Sequence, residues 1–445
     1  MGCYGNPTVK TPNIDRLARE GARFANAFVT CPVCSPARSA LMTGMYQTSI
    51  DAHQHRSHRG DGYRLPEPVK VITEYFRQAG YFTCNCAGLN YNKSGKTDFN
   101  FKPDGRVFDG PDWSQRKHDQ PFFAQVNLSL THRDFRRDEQ NPIDPAKVNI
   151  PPYYPDHPLT RRDWADYLES IQILDRQIGQ VLKRLADEGL ADNTIVFYFG
   201  DHGRPHVRGK QWLYEGGIKI PLIVRWPGRI RANVVVDKLV SSIDFAPTCM
   251  ALAGIKPPEH LQGQIFLGPG TRERKYIFAA RDRCDETVDH IRCVRTKRYK
   301  YIRNFDPDRP YTQFNDYKKK QYPILTLMQV LNKQGKLTPA QKLFMASQRP
   351  KEELYDLSKD PYEVNDLAGN AKYRKKLREL RDELDRWIAE TNDMGQRPED
   401  EKIAQYWNTY HSKRHRSTMQ KRGLGADYSD EEYLQWWRKW LLQNK

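Results

Sequence analysis

Residues 162–187 form the longest amphipathic stretch in the chain, with Ile171, Leu174, Ile178, Val181, Leu182 and Leu185 falling on one face at helical spacing. Asn193 and Thr194 then turn the chain into a short apolar run, Ile195 to Phe199, that reads as a strand and stops at Gly200-Asp201-His202-Gly203. A helix too long to be a surface ornament, returning into a strand, constrains the fold to layers of helix on sheet. The same alternation recurs upstream. Thr11-Pro12 opens a helix that Gly21 ends, Phe24 to Val29 reads as a strand, Val69 to Gln78 as a helix, Tyr81 to Cys86 as a strand, and Phe122 to Leu130 as a buried strand. The expected fold class is therefore α/β, with a mainly parallel or mixed sheet flanked by helices.

In such sheets, active sites gather at the carboxyl ends of strands. Asp201, placed at one of those ends, is a natural ligand for a hard cation, although an Asx turn would use the same residues. A second polar cluster is Cys34-Ser35-Pro36-Ala37-Arg38-Ser39-Ala40-Leu41-Met42-Thr43-Gly44, which follows the strand ending at Val29. Cys31 and Cys34 also make a C-x-x-C pair, open to a redox or zinc reading. No second such pair stands at zinc-finger spacing, and only Cys34 has Pro at +2 and Arg at +4.

The Cys34 run resembles the signature of the type I sulfatases, Cys-x-Pro-x-Arg followed by Leu-x-Thr-Gly. The fold this resemblance implies is alkaline phosphatase-like, and the signature cysteine becomes formylglycine, whose hydrated aldehyde is the nucleophile. It further implies that Asp201, His202 and residue 34 hold Ca²⁺, or Mg²⁺ in its place, and that Arg38 orients the formylglycine. The segment Gly209 to Gly217 with Pro221 to Gly228 is similar to the one whose lysine contacts sulfate, here Lys210. Gly80-Tyr81-Phe82-Thr83 and Gly95-Lys96 resemble the second signature, which makes Lys96 a bridge between formylglycine and sulfate; Asp98 stands where that signature has His. His132 resembles the histidine that contacts sulfate and protonates the departing alcohol.

Specificity is expected outside this pocket, on His53, His55 and Arg56 in one polar loop and on Arg281 and Asp282 in another. The closer resemblance is to bacterial polysaccharide sulfatases and the heparan N-sulfatase branch, so the implied substrate is a sulfated carbohydrate, ester or sulfamate. A formylglycine-generating enzyme is the implied maturation partner. Two other readings stay open: a sulfated-glycan-binding relative without turnover, and a phosphoester or phosphonate hydrolase of the same superfamily.

Composition agrees with an anionic partner. The formal charge is +17, from 72 Lys and Arg against 55 Asp and Glu, but the basic residues are dispersed and form no nucleic-acid motif. Eight cysteines in 445 residues are too few for a disulfide framework, and no apolar run is long enough to span a bilayer. Three regions are expected: a catalytic domain over 1–270, a smaller C-terminal α+β subdomain over 271–395, and a basic, aromatic helical tail over 396–445. In the subdomain, Glu353 to Pro361 resembles the small-sheet strand and turn common near sulfatase C-termini, Arg295 to Asn304 is expected as a strand of that sheet, and Asn365 to Asp393 reads as a packing helix with Leu377, Leu380, Leu384 and Trp387 on one face.

The start of the chain carries its own expectation. Gly2-Cys3-Tyr4-Gly5-Asn6 resembles the segment that, in the family, follows a buried strand ending in two metal-ligating aspartates. The sequence begins at Met1, so that strand and any signal peptide lie outside it. The 445-residue chain is thus expected to be either inactive and poorly stable or part of a longer active enzyme. The family's setting is periplasmic or secreted.

Overall fold

The computed structural model describes residues 1–443, apart from the side chain of Arg59. In the first half, helix α1 (Pro12–Glu20) leads into β1 (Ala22–Phe28), α2 (Cys34–Thr43), α3 (Ile72–Gln78), β2 (Phe82–Ala87), β3 (Asn90–Ser94) and β4 (Phe122–Val126). Then come α4 (Pro158–Asp187), β5 (Val196–Phe199), the short α5 (Glu215–Ile218), β6 (Lys219–Arg225), β7 (Val234–Ser241) and α6 (Phe245–Leu252).

Their strands form two mixed sheets. One has the order β5-β6-β1-β7, with β1 and β7 parallel and the other pairs antiparallel. The other runs β3-β2-β4, with β2 and β4 parallel and β3 antiparallel to β2. Periodicity marks where strands lie but not which way neighbours run; of the mainly parallel or mixed sheet expected, the mixed form is the one observed.

Helix α4 runs from Pro158 to Asp187 and buries Ile171, Leu174, Ile178 and Leu185 along its predicted face, while Val181 and Leu182 are half-buried. Its buried polar groups hold neighbouring segments. The Asp175 carboxylate accepts from the Ile14 amide at 2.7 Å, which ties in the start of α1. Glu169 accepts from the amides of Asp138 and Ile143. A buried carboxylate costs little when backbone donors replace its water.

Strands β4 and β5 are each the edge of their sheet, and neither is fully buried at any position. Both line one cavity of about 1230 Å³, shared with Ile171, Leu174 and Ile178 of α4 and with Cys34, Arg38 and Asp201. Two apolar edges that open on a common space keep ladder groups unpaired by any described strand.

The C-terminal part contains β8 (Ile277–Arg281), β9 (Ile291–Arg295), β10 (Tyr299–Asn304), α7 (Asp316–Gln321), α8 (Pro323–Lys333), α9 (Pro339–Lys342), β11 (Glu352–Asp356), α10 (Arg374–Glu390), α11 (Glu401–Lys421) and α12 (Asp430–Arg438). Its sheet is antiparallel, in the order β11-β10-β9-β8. The single strand expected over 295–304 is a hairpin instead, because the Thr296 amide donates to the Tyr299 carbonyl and closes a turn. Helix α10 packs Leu377, Leu380, Leu384 and Trp387 on this sheet, beside Phe278 and Leu354. The tail is helical, and Met419, Tyr433, Leu434 and Trp437 bury against Leu159 and Leu327. Among the described residues no helix is long and apolar enough to cross a membrane.

Candidate functional site

Helix α2 is buried along nearly its whole length, so it is built from small residues whose hydroxyls bond back to their own helix. Ser39 Oγ donates to the Ser35 carbonyl at 2.9 Å and Thr43 Oγ1 to the Ser39 carbonyl at 2.8 Å. Pro36 sits in the first turn, where no intrahelical N–H is required of it. Cys34 is therefore presented at the N-terminus of a fixed helix, at the positive end of its dipole.

Two basic side chains close on that sulfur. Lys210 Nζ and His202 Nε2 each lie 3.2 Å from Cys34 Sγ. Burial pushes the Cys34 thiol up, but Lys210 and then His202 outweigh it and hold the thiol well below its ordinary value. His202 Nδ1 donates to the Gly203 carbonyl at 2.8 Å, which turns Nε2 toward the sulfur. Burial lowers His202, yet the charges of Asp201 and Cys34 raise it overall. Burial also works against the Lys210 ammonium, which the Cys34 thiolate and the ring of Tyr317, 4.8 Å away, keep charged.

One turn along α2, Arg38 Nε and Nη2 both meet Asp201 Oδ2 at 2.9 Å. Its Nη1 donates to the Lys96 carbonyl at 3.0 Å and to Asn127 Oδ1 at 2.8 Å. Burial raises Asp201, but His202, Arg38 and the two lysines together hold it below the usual carboxylate range. Lys96 Nζ lies 3.0 Å from Asp98 Oδ2, and Arg56 Nε lies 3.4 Å from Asp98 Oδ1. Asp98 thus faces two cations with its carboxylate rather than a sulfate. His132 Nδ1 donates to the Arg133 carbonyl at 2.7 Å; burial first, and then the Lys210 charge, lower its affinity for a proton.

The loop that carries Lys210 is folded by close backbone contacts. A Cβ at Gly217 would strike the Trp212 and Gly209 carbonyls, and one at Gly203 would strike the Gly216 carbonyl. These glycines bring the Lys210 loop against the strand end that carries Asp201 and His202.

The matching family description is "Sulfatase", over residues 1–255. The chain belongs to the sulfatase family. Its activity is sulfuric ester hydrolysis. A second description, "N-sulphoglucosamine sulphohydrolase, C-terminal", matches residues 200–328. An ulvan-active sulfatase of Formosa agariphila is 38% identical over 463 aligned residues, covering 92% of this chain and 76% of that one. The human N-sulphoglucosamine sulphohydrolase is 26% identical, covering 88% of each. Among solved structures, a protein in complex with D-glucosamine-2-N,6-O-disulfate superposes with a TM-score of 0.62 at 18% identity, covering 88% of this chain and 95% of that one. Its likeness shows the alkaline phosphatase-like fold.

A sulfatase site needs a place for a cation, and ligand atoms of Cys34, Asp201 and His202 lie within 4.8 Å of one another. The thiol stands where a formylglycine oxygen would be. A hard cation takes about six to eight oxygens. One carboxylate and one imidazole beside residue 34 fit only part of such a shell.

The expected specificity residues divide. Arg56 reaches Asp98, which also meets Lys96, whereas His55 is buried with Nδ1 3.0 Å from Asp285 Oδ1. His53 is buried, with Nδ1 3.6 Å from Asp51 Oδ1. Arg281 and Asp282, expected at the sugar, are instead buried in the ion network of the small sheet: Arg281 pairs with Asp289, and Asp282 Oδ1 accepts from Arg292 Nη1 at 3.0 Å. Every residue of β8 is buried, which the charges around it disguise in the sequence.

Two pocket groups escaped the sequence. Tyr317 reaches Lys210 from a lysine-rich helix that no motif marks, and Asn127 follows β4 without a recognisable pattern. Glu215 is a half-buried ion-pair hub 2.8 Å from Lys300 and 3.0 Å from Arg295.

Proposed function

We propose that this sulfatase removes sulfate esters from an acidic polysaccharide, with ulvan the first candidate, and that it uses formylglycine made from Cys34. The observation that carries the reading is the closure of Lys210 and His202 on one sulfur at a helix N-terminus. The ulvan-active relative at 38% identity favours an ester over the sulfamate of the human relative at 26%.

Formylglycine, in its hydrated form, supplies a nucleophilic oxygen and a second hydroxyl that drives sulfate out. Lys210, held protonated, stabilises negative charge on the sulfuryl oxygens, and Lys96 and Arg38 add to the same field. His132, whose Nδ1 is held by the Arg133 carbonyl, is left with Nε2 to protonate the departing alcohol, and burial with the Lys210 charge works against the imidazolium form that this step needs. Ca²⁺, with Mg²⁺ the smaller alternative, would supply further positive charge there, held by Asp201, His202 and residue 34.

Cys34 is 3% exposed, so its oxidation by a formylglycine-generating enzyme must precede folding. That partner, and the periplasmic or secreted setting of the family, belong to the same proposal. Sulfate release from ulvan, from N-sulfoglucosamine and from an aryl sulfate, beside phosphate release from the matching aryl phosphate, tests it. Faster release from ulvan than from the sulfamate, with little phosphate release, supports the reading; dominant phosphate release refutes it.

A further inference from the structure

Helix α11 divides into two faces. One turns inward, where His411, His415 and Met419 are buried. The other leaves two aromatic rings in solvent: Tyr406 is 61% exposed and Tyr410 45%. Their planes lie within 17° of parallel at 6.3 Å between centroids, and the half-buried Trp407 stands nearly perpendicular to both. Exposed rings that are held in order by neighbours mark a binding surface more often than scattered apolar residues do.

Helical spacing continues this face into charge. Lys413 and Arg414 follow Tyr406 by seven and eight positions and are both exposed. From Tyr406 to Arg414 the face runs roughly 12 Å along the axis, more than one sugar ring. Glu401, in the first turn, is the one acidic residue of the helix.

The helix also packs on the loop that carries His55. Tyr410 stands edge-on to His411 at 5.1 Å, His411 Nε2 is 3.6 Å from Asp285 Oδ1, and Asp285 holds His55. Trp407 lies under the Arg283 guanidinium at 5.8 Å, and Arg283 Nη2 donates to the His55 carbonyl at 3.1 Å.

We propose that the Tyr406, Tyr410, Lys413 and Arg414 face of α11 binds the continuation of the sulfated polysaccharide chain whose sulfate enters the pocket. The inference rests on the polysaccharide reading above. Tyrosine faces suit the C–H faces of sugar rings, phenolic hydroxyls suit their hydroxyls, and the two cations suit sulfate or carboxylate groups. A protein partner would want a larger apolar centre than two rings bordered by charge.

The test uses the whole chain and two variants, Y406A/Y410A and Y406F/Y410F. Affinity for ulvan and for a heparin oligosaccharide is measured by calorimetry, together with thermal stability, oligomeric state by light scattering, and turnover of a small aryl sulfate. Y406A/Y410A should bind at least one polymer about tenfold more weakly, with unchanged melting and aryl sulfate turnover, and Y406F/Y410F should retain most of the affinity. Polymer affinity that ignores both tyrosines overturns the proposal, as does a wild-type chain that binds neither polymer. So does a change of oligomeric state with polymer affinity intact, since the face then serves a second copy. Binding that depends on the tyrosines without sulfate release from any substrate leaves this surface standing and refutes the hydrolytic reading instead.

Discussion

At the scale of single residues, the site works by setting charges against burial. Cys34 would be a poor thiolate in an apolar pocket, and Lys210 with His202 reverse that balance. The same two side chains would face an oxygen put in place of that sulfur. Lys210→Ala should lower the rate of sulfate release by about 10²–10³-fold, the range for removing one preorganised charge-stabilising donor. Single-turnover kinetics would separate that loss from a loss of binding. His132→Asn should act differently, with a larger loss for an alkyl sulfate than for an activated aryl sulfate, because only the poor leaving group needs its proton. Equal losses on both would remove His132 from the leaving-group role.

What the sequence made legible at this scale follows from local spacing. Cys34 and Arg38 lie one turn apart on a helix, and Asp201 and His202 are adjacent, so their patterns survive in a linear reading. Tyr317 and Asn127 act through partners distant in the chain, and only the fold reveals them. Arg281 and Asp282 misled because an exposed charged loop and a buried ion network have the same composition.

At the scale of elements, one ion pair secures the loop that bears His132. Arg133 spans from that loop to α4, where both of its terminal nitrogens meet Asp163, and its Nε donates to the Pro205 carbonyl at 3.1 Å. His206 Nε2 is 3.3 Å from Asp163 Oδ2. Burial pushes Asp163 up, but Arg133 wins and the carboxyl falls to about 2; burial carries His206 down to about 4. Both groups are depressed, so both stabilise the fold above their unfolded pKa values and lose that contribution as pH falls. Stability should decline from about pH 6.5 toward 4 as the unfolded His206 binds a proton, then further below about pH 4 through Asp163. Asp163→Asn should cost roughly 3–5 kcal/mol and flatten the lower part of that profile in denaturant titrations. A profile unchanged by the substitution would contradict the assignment.

The edges of β4 and β5 make a second prediction at this scale. With no described strand between them, their slot-facing amides should exchange with solvent faster than those of β1, which is paired on both sides. Hydrogen exchange on peptides covering 122–126 and 196–199 measures this. Protection equal to that of β1 would show the slot to be closed in solution. The strands themselves were legible from their apolar runs, whereas their mixed directions depend on pairing that no single segment encodes.

At the scale of the molecule, the catalytic part and the small sheet are joined by buried charge rather than by apolar contact alone. Glu215, just after the Lys210 loop, meets Arg295 of β9 and Lys300 of β10, and Lys300 also reaches Glu363 at 2.7 Å. Glu215→Ala leaves two buried cations short of a partner and should cost about 3–5 kcal/mol, read as a lower melting temperature. The net charge of +17 acts at the same scale, by steering an anionic polymer toward a pocket lined with Arg38, Lys96 and His132.

The central claim is that residue 34 becomes the nucleophile of a sulfatase. Peptide mass spectrometry of residue 34, on protein co-expressed with a formylglycine-generating enzyme, tests it most directly when paired with sulfate release from the same preparation. An aldehyde in place of the thiol is expected, with sulfate release that tracks the fraction converted. Sulfate release from protein whose Cys34 remains a thiol, undiminished in Cys34→Ala, would contradict it.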